Sequence, residues 1–376
     1  MIYLDYAATT PIDPEVAKAY QKCCIDYYAN SDSLHQAGMK VAELMEQSRT
    51  QIADLFHVSC DEIIFTSGAS EANNLAIKGY AFAHQRRGKH LITSCVEHSS
   101  ILHTMKQLED VFGFEVTYLN VNDLGQVDPE ELKKALRSDT ILVSCMLVNN
   151  ESGAINDIDT LANITHTFSQ ARFHCDCVQA LGKIAFSLAN VDMATFSAHK
   201  IYGVKGSGVL FKKRKIELLS LISAGQQEQG LRGGTSNAPA NIMFAKTLRL
   251  VMDNLQEHYA YVEELNHYLR DALKTFKPVV INSDISGSPY ILNISILSIG
   301  SQIMLNALDA CGICVSAQST CASKSKAHSY VLKAMGLGEL RATHAIRISL
   351  SHLTSKADID QLIKAMKEIL NDYQTR

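Results

Sequence analysis

Three short apolar runs lie within residues 172–212, which read RFHCDCVQALGKIAFSLANVDMATFSAHKIYGVKGSGVLFK. They are Arg172–Asp176, Met193–Ser197 and Gly208–Lys212, each of a length typical of a buried strand. Between the second and third runs the chain is rich in glycine and other small residues, which is typical of a turn. This stretch therefore predicts neighbouring buried strands that are joined by turns.

Similar runs precede this stretch and alternate with helical patterns. The earlier strand candidates are Glu62–Thr66, His90–Ser94, Phe114–Leu119 and Thr140–Leu147. Helical patterns lie between them, for example over Glu71–Gln85 and Ser99–Phe112. Such alternation predicts β-α-β units, and hence an α/β fold with a mainly parallel seven-stranded sheet that is covered on both faces.

The rest of the chain predicts a second, smaller domain. A helix is predicted to begin at Asp13-Pro14, and another to contain the apolar positions from Val41 to Leu55. After Pro239 the predicted elements are a long helix over Ala240–Phe276, strands at Tyr290–Ile296 and Ala345–Leu350, and a closing helix over Lys356–Tyr373. We therefore predict a large domain over 14–250 and a small α+β domain formed by 1–13 and 251–376.

Composition narrows the class of protein. Of the 376 residues, 47% are hydrophobic and 20% charged, as in ordinary globular proteins. The net charge of −4 argues against a broad nucleic-acid-binding surface, and the basic run 212–215 is interpreted as a solvated loop. No secretory signal and no apolar run of about 20 residues is present, so we expect a cytoplasmic protein without membrane contact.

The ten cysteines do not suggest a metal site. Cys311 and Cys314 form a lone C-x-x-C pair, whereas a zinc ribbon needs two such pairs. Cys145 and Cys175 lie in apolar runs, where a thiol acts as a small hydrophobic group. We therefore expect free thiols and no bound metal.

Lys200 is the first candidate for chemistry. It follows the strand candidate Met193–Ser197 within Ser197-Ala198-His199-Lys200, and glycines follow it. A lysine in a turn of small residues at a strand end can serve as a Schiff-base amine. A surface lysine is the alternative.

Asp176 and the segment Thr66–Glu71 strengthen this interpretation. Asp176 ends a strand candidate, and ligands bind at the carboxyl ends of strands in open α/β sheets. A carboxylate there can pair with a pyridinium nitrogen, although a helix cap is the alternative. Thr66-Ser67-Gly68-Ala69-Ser70-Glu71 follows a strand and opens a helix, where free N–H groups can hold a phosphate.

Eight segments together resemble the fold-type-I pyridoxal-phosphate enzymes, within them the class V aminotransferase group, and most closely the NifS/IscS-like cysteine desulfurases. In chain order they are 3–10 (YLDYAATT), 65–74 (FTSGASEANN), 97–98 (EH), 148–153 (VNNESG), 176–180 (DCVQA), 197–200 (SAHK), 232–235 (RGGT) and 346–349 (IRIS). The resemblance runs essentially from end to end.

The resemblance implies a role for each matching position. Pyridoxal 5′-phosphate is bound covalently by Lys200, and His98 stacks on its ring and moves protons. Asp176 pairs with the ring nitrogen, while Asn150 and Gln179 reach the phenolate side.

The remaining implied roles concern the phosphate and the substrate. The residues implied for the phosphate are Ala69, Ser70, Ser197 and His199, with Thr235 coming from the partner subunit of a homodimer. Arg347 is implied to clamp the carboxylate of L-cysteine, a task that suits its forked guanidinium, and Asn150 and Asn30 assist.

Cys321 distinguishes between relatives. It lies in a small polar loop of about 316–328, 26 residues before Arg347, where the desulfurases carry their persulfide cysteine. The resemblance implies that the Cys321 thiolate takes sulfur from L-cysteine, leaving alanine and an enzyme persulfide. The sulfur then passes to an acceptor protein, either an iron–sulfur scaffold or a tRNA-thiolating enzyme.

Some positions depart from the family pattern, and alternatives stay open. Ser31 follows Asn30 where proline is usual, Cys177 replaces an alanine, and Gln318 and Thr320 replace a glycine and an alanine in the loop. A selenocysteine lyase or another class V aminotransferase is the alternative within the superfamily. A non-catalytic scaffold of the same fold is the alternative from another class.

Overall fold

The computed structural model describes residues 1–317 and 328–374. Its strands are β1 Ile2–Tyr3, β2 Ile63–Thr66, β3 His90–Ser94, β4 Glu115–Leu119, β5 Thr140–Ser144, β6 Arg172–Asp176, β7 Met193–Ser197, β8 Gly208–Lys212, β9 Val279–Ile281, β10 Ile291–Ile296, β11 Ile313–Cys314 and β12 Ala345–Ser349.

Its helices are α1 Pro14–Asp26, α2 Gln36–Phe56, α3 Ala69–Asn74, α4 Tyr80–His84, α5 Ser99–Phe112, α6 Pro129–Ala135, α7 Ile158–Phe168, α8 Ala238–Asp253, α9 Leu255–Leu273, α10 Ser301–Ala310, α11 Tyr330–Ala334, α12 Gly338–Thr343 and α13 Lys356–Gln374.

A seven-stranded sheet in the order β2-β8-β7-β6-β5-β3-β4 forms the centre of the larger part. Strands β7, β6, β5, β3 and β4 pair in parallel, and β8 is antiparallel to both of its neighbours. The prediction of a mainly parallel α/β sheet is therefore confirmed. All residues of β2, β3, β5, β7 and β8 are buried, which is why their sequences are apolar runs without alternation.

The long helix predicted over 240–276 is wrong in one respect, because the structure divides it at Asn254. The backbone of Asn254 leaves the helical region, with φ −112° and ψ 11°. Its side-chain Nδ2 donates to the carbonyl of Leu250 over 2.9 Å, which satisfies an orphan carbonyl at the end of α8. Apolar periodicity alone could not reveal this break, since it continues on both sides.

The helix predicted over Glu71–Gln85 is not a continuous α-helix in the structure. A π-helical turn, Leu75–Gly79, interrupts it between α3 and α4. Gly79 lies against the backbone of Leu219 at this point, and the carbonyl of Gly79 accepts from the Leu219 N–H over 2.9 Å.

The predicted start of the first helix at Asp13-Pro14 is confirmed, because Asp13 Oδ1 accepts from the N–H groups of Glu15 and Val16.

Separate hydrophobic cores accompany the two larger sheets. The cores around the seven-stranded sheet include Phe65, Phe173 and Phe196, while another surrounds the three-stranded sheet β12-β10-β9. Leu4 packs in this second core, so the N-terminus joins the C-terminal part of the chain. We propose the domain division at about residue 250 on this basis. No helix in the part of the chain that the structure describes is long and apolar enough to span a membrane.

Candidate active site

A cavity of about 530 Å³ lies at the carboxyl ends of the parallel strands, a size typical of small-molecule sites. The residues predicted for the site that line it are Ala69, Ser70, His98, Asn150, Asp176, Gln179, Ser197, His199, Lys200 and Arg347. These side chains come from segments up to 278 residues apart in the chain, from 69 to 347, and the sheet brings them together.

Lys200 presents its amine to this cavity. A short 3₁₀ turn, Ala198–Lys200, follows β7 directly and carries the lysine past the strand end. Its Nζ donates to the carbonyls of Ala7 and Ala8, over 2.7 Å each. The N-terminal segment therefore fixes the position of the amine. A surface location for Lys200 is excluded by this half-buried, bonded position.

Asp176 is buried at the end of β6, and donors hold both of its carboxylate oxygens. Asn73 Nδ2 donates to Oδ2 over 2.9 Å, and the backbone N–H of Val178 donates to Oδ1 over 3.0 Å. The second contact lies in a turn, and no helix begins directly after Asp176 in the described structure, so the alternative of a helix cap is wrong. The first contact comes from α3 and fixes the carboxylate where it lines the cavity.

His98 is the N-cap of α5, and its ring lines the same cavity. Nδ1 accepts from the backbone N–H of Ser100 over 3.2 Å, so the neutral ring carries its proton on Nε2. Burial lowers the pKa of His98; the charge of Asp176 opposes this effect and that of Lys200 adds to it. At neutral pH the ring is therefore uncharged and can donate from Nε2.

Glu97, next to His98, is fully buried, and burial raises its pKa to about 8. Ser94 Oγ and the backbone N–H of Met146 both donate to its Oε1, over 2.6 and 2.9 Å. Glu97 therefore joins the carboxyl ends of two neighbouring strands, β3 and β5, beneath the cavity.

The end of the cavity predicted for the phosphate is formed by the beginning of α3 and the end of β7. Gly68 precedes α3 with φ 152°, and a Cβ on Gly208 would lie 2.5 Å from the Gly68 Cα. Only glycine at 208 therefore allows α3 to begin directly against β8. His199 Nδ1 lies 3.1 Å from Thr9 Oγ1, and burial lowers the pKa of His199 to about 4, which keeps the ring neutral.

Arg347, on β12, is almost completely buried, with 1% of its surface exposed. Its Nη1 donates to the carbonyl of Asn150 over 2.7 Å, and its Nη2 lies 2.9 Å from Asp5 Oδ1. The Nε atom has no hydrogen-bond partner among the described residues. Two hydrogen-bonded nitrogens therefore fix the guanidinium beside the cavity, and the third nitrogen, Nε, makes no hydrogen bond among the described residues.

Two predicted residues, Asn30 and Thr235, do not line the cavity of this single chain, and a third, Cys321, lies outside the described residues. Asn30 lies in an exposed loop, and its Oδ1 accepts from the backbone N–H of Asp32 over 3.0 Å. Thr235 is exposed in the segment before α8. Cys321 and its loop neighbours 318–327 lie outside the described residues. The roles predicted for these three residues remain predictions.

Several residues that hold the side chains of the site in place had no predicted role. Ala7 and Ala8 hold Lys200 through their carbonyls, Asn73 fixes Asp176, and Asp5 pairs with Arg347. All of these positions lie in the segments 3–10 and 65–74, which carry the resemblance, so the signal was present. Their partners could not be predicted, because each contact joins residues at least 100 positions apart.

The residues at the cavity fit the pyridoxal 5′-phosphate that the sequence resemblance implies. The buried Oδ1 of Asn150 has no hydrogen-bond partner within the described ranges, as expected where a donor on a bound group completes its bonding. An amine, a carboxylate at a strand end and a neutral imidazole line one cavity, and this donor set suits an aldehyde, a pyridine nitrogen and an aromatic ring. Residues 1–317 and 328–374 contain no group of three His, Cys, Asp or Glu side chains placed to hold a metal ion.

Comparison with known proteins gives consistent results. The model of the family "Aminotransferase class-V" matches residues 2–362. A NifS/IcsS protein homolog of Lactobacillus delbrueckii subsp. bulgaricus is 40% identical over 99% of this chain and 98% of its own length. Cysteine desulfurase IscS of Buchnera aphidicola is 40% identical over 98% of this chain and 93% of its own. Among solved structures, a NifS-like protein has a TM-score of 0.93 and 35% identity, covering 98% of this chain and 99% of that one.

Proposed function

The chain belongs to the class-V aminotransferase family, and from this membership we propose that it is a pyridoxal-phosphate-dependent cysteine desulfurase of the NifS/IscS type. It converts L-cysteine into L-alanine and an enzyme-bound persulfide. The observation that carries the proposal is the position of the Lys200 amine, which lies in one cavity with His98, Asp176 and Arg347.

The roles proposed for the cofactor residues come from the family resemblance, and their position around one cavity supports them. Lys200 would hold pyridoxal 5′-phosphate covalently, and Asp176 would pair with its ring nitrogen. The bound cofactor supplies an electron sink for the bond that breaks at the substrate α-carbon. Asn73 and the Val178 N–H keep Asp176 in place, which keeps its negative charge directed at the cavity.

Different parts of the site would hold the phosphate and the phenolate side of the cofactor. Residues 69 and 70 at the start of α3, with Ser197 and His199, would hold the phosphate, and Thr235 of a partner subunit would add a contact. Gln179 and Asn150 would hold the phenolate side. Thr235 is exposed in the single chain, as a residue available to a second subunit must be.

The substrate would be held by its carboxylate. Arg347 lines the cavity, and Asp5 and the carbonyl of Asn150 hold its guanidinium in place, so it is positioned to receive a carboxylate. Lys200, once released from the cofactor, would take the α-proton of L-cysteine. His98 is neutral and would pass a proton on from Nε2.

Sulfur would leave the substrate on Cys321. The Cys321 thiolate would attack the sulfur of L-cysteine, so that an S–S bond forms as the Cβ–S bond breaks. The substrate carbon keeps the electron pair of the broken bond and takes up a proton. The products are L-alanine and a persulfide on Cys321. An iron–sulfur scaffold or a tRNA-thiolating enzyme would accept this sulfur.

Turnover of L-cysteine by the purified homodimer tests the proposal. With pyridoxal phosphate present, equal amounts of alanine and transferable sulfur should form, and borohydride should bleach the visible chromophore. Lys200→Ala should lose the covalent chromophore, whereas Lys215→Ala, at an exposed lysine after β8, should keep both the chromophore and the activity. Cys321→Ser should stay yellow but form no alanine.

Two results would contradict the proposal. A protein that stays colourless with pyridoxal phosphate is a non-catalytic scaffold. A protein that releases selenium from L-selenocysteine but forms no alanine from L-cysteine is a selenocysteine lyase.

A further inference from the structure

Lys183 is a buried lysine that the reaction above does not use. It lies in the turns that follow β6, with 6% of its surface exposed, and it does not line the cavity. Within residues 1–317 and 328–374, no carboxylate lies at ion-pairing distance from its amine. Removing an ammonium from water without a countercharge costs free energy, so the buried position of Lys183 calls for a structural or functional explanation.

The amine of Lys183 contacts the side chain of Gln179. Lys183 Nζ donates to Gln179 Oε1 over 2.7 Å, and Gln179 Nε2 donates to the carbonyl of Ala7 over 2.9 Å. The same carbonyl accepts from Lys200 Nζ over 2.7 Å. A buried chain of hydrogen bonds thus runs from Lys183 through Gln179 and Ala7 to the amine of the site.

The chemistry of an ammonium group fixes the orientation of the Gln179 carboxamide. An ammonium can only donate, so it must face the oxygen of the carboxamide and not the nitrogen. The nitrogen then lies on the other side, toward Ala7 and the cavity that Gln179 lines. The carbonyl of Ala7 accepts from one of the two N–H groups of Gln179 Nε2, which leaves the second N–H for a group in the cavity. A group that accepts a hydrogen bond there, such as an aromatic oxyanion, is therefore favoured.

We propose that Lys183 is a positioning residue for the cofactor: it keeps Gln179 Nε2 directed at the phenolic oxygen of pyridoxal phosphate. This inference rests on the proposed function. Lys183 touches neither the cofactor nor the substrate and acts only through Gln179. Without its ammonium the carboxamide is free to turn, and a turned carboxamide presents oxygen to an oxyanion.

The charged groups around Lys183 are consistent with its role as a positioning residue. Burial lowers the pKa of Lys183 to about 7, and the positive charges of Lys200 and Arg347 add to this effect. An anion in the cavity offsets these charges and favours the ammonium form of Lys183. By linkage, the ammonium form favours the anion to the same degree.

Titration of the apoprotein with pyridoxal phosphate tests the inference, with the visible spectrum as a second readout. Lys183→Met should weaken cofactor binding about tenfold, the cost of one hydrogen bond to a charged group, and should shift the visible band. Gln179→Leu should do the same. The double variant should be no weaker than the weaker single variant, since both substitutions remove one interaction.

A matched control separates positioning from general stability. Lys212 is as buried as Lys183, at 6% exposure, and burial also lowers its pKa, but it pairs with Met193 at the opposite end of β7 from Lys200. Lys212→Met should lower the melting temperature without changing cofactor affinity or spectrum. With 3-O-methylpyridoxal phosphate, in which the phenolic oxygen is blocked, the difference between wild type and Lys183→Met should disappear.

Three outcomes overturn the inference. They are additive loss in the double variant, equal loss of affinity in Lys183→Met and Lys212→Met, and a Lys183→Met variant that matches a functional wild type. These results differ from a failure of the proposed function, in which the wild-type protein itself neither binds pyridoxal phosphate nor forms alanine. If the wild type does both and Lys183→Met matches it, only the role of Lys183 is wrong.

Discussion

Asp5 Oδ1 and Arg347 Nη2 form an ion pair of 2.9 Å that joins the N-terminal segment to β12. The same guanidinium donates from Nη1 to the carbonyl of Asn150 over 2.7 Å. Two partners therefore orient Arg347 before any ligand enters, and its Nε remains without a partner among the described residues. Such preorganisation means that substrate binding need not order a long side chain.

Replacement of Arg347 by lysine should weaken substrate binding selectively. Lysine keeps the charge but lacks the planar fork, so one hydrogen bond to the substrate carboxylate is lost. We expect the KM for L-cysteine to rise by about 10-fold to 100-fold, with cofactor affinity little changed. Alanine formation measured against L-cysteine concentration gives the KM. Arg341→Lys is the control, because Arg341 bonds to Asn282 and Ile281 in the small domain. An unchanged KM in Arg347→Lys would show that Arg347 does not bind the substrate.

Replacement of Asn73 by leucine should impair catalysis through Asp176. The Asp176 carboxylate then loses the donor to its Oδ2 and is free to rotate. We expect kcat to fall by about tenfold, together with a shift in the visible spectrum of the bound cofactor, since a hydrogen bond to a charged group is involved. Asn266→Leu removes an equally buried asparagine from the small domain and should affect stability alone. A normal spectrum in Asn73→Leu would contradict the positioning of Asp176 by this contact.

Much of the fold could be predicted from the sequence, because the strands at the centre of the sheet are buried on both faces. Arg172–Asp176, Met193–Ser197 and Gly208–Lys212 have the predicted bounds. The division at Asn254 and the π turn over Leu75–Gly79 could not be predicted, since both depend on side-chain or backbone contacts that interrupt a continuous apolar pattern.

The site was predicted less completely than the fold. Residues that carry a reactive group, such as Lys200 and Asp176, could be identified from their position after a strand. Residues that act through another side chain could not, because their function depends on a partner far away in the sequence. Asn73 and Lys183 are of this second kind.

The buried histidines should make stability fall as the pH falls below 6.5, whereas Glu97, with a pKa raised to about 8 by burial, acts in the opposite direction. Burial lowers the pKa of His174 to about 3 and that of His199 to about 4, both below the usual value of 6.5. Between these values and 6.5 the unfolded chain binds protons that the folded chain does not. The free energy of unfolding should therefore decrease by ~1.4 kcal/mol per pH unit for His174, and by less for the partly solvated His199.

Urea unfolding at pH 7, 6 and 5 measures this dependence. His174 Nδ1 contacts Ser144 Oγ and its Nε2 contacts Thr195 Oγ1, so His174→Gln can keep polar contacts while removing the titrating group. This variant should show a slope that is smaller by about one proton. A pH dependence that is the same in His174→Gln and in the wild type is inconsistent with a neutral, buried His174.

Glu228 should be essential for stability because it neutralises a buried arginine. Arg49 donates from Nη1 and Nη2 to the two carboxylate oxygens of Glu228, over 2.8 and 3.0 Å, and the backbone N–H of Phe65 donates to Oε2 over 2.8 Å. Both side chains are buried, with 8% and 4% exposed. Glu228→Ala leaves the guanidinium of Arg49 without this countercharge, and we expect the free energy of unfolding to fall by ~3–5 kcal/mol.

The exposed ion pair of Arg137 and Glu115 is the matched control, with 44% and 69% of the side chains exposed. Glu115→Ala should cost less than ~1 kcal/mol, since solvent already screens this pair. The double variant Arg49→Met/Glu228→Ala should be more stable than Glu228→Ala, because it also removes the buried charge, whose remaining ion-pair partner is the exposed Glu46 at 3.0 Å. Urea unfolding measures both losses. If Glu228→Ala and Glu115→Ala lower the free energy of unfolding by the same amount, the buried pair does not stabilise the packing of α2 against the segment around Glu228.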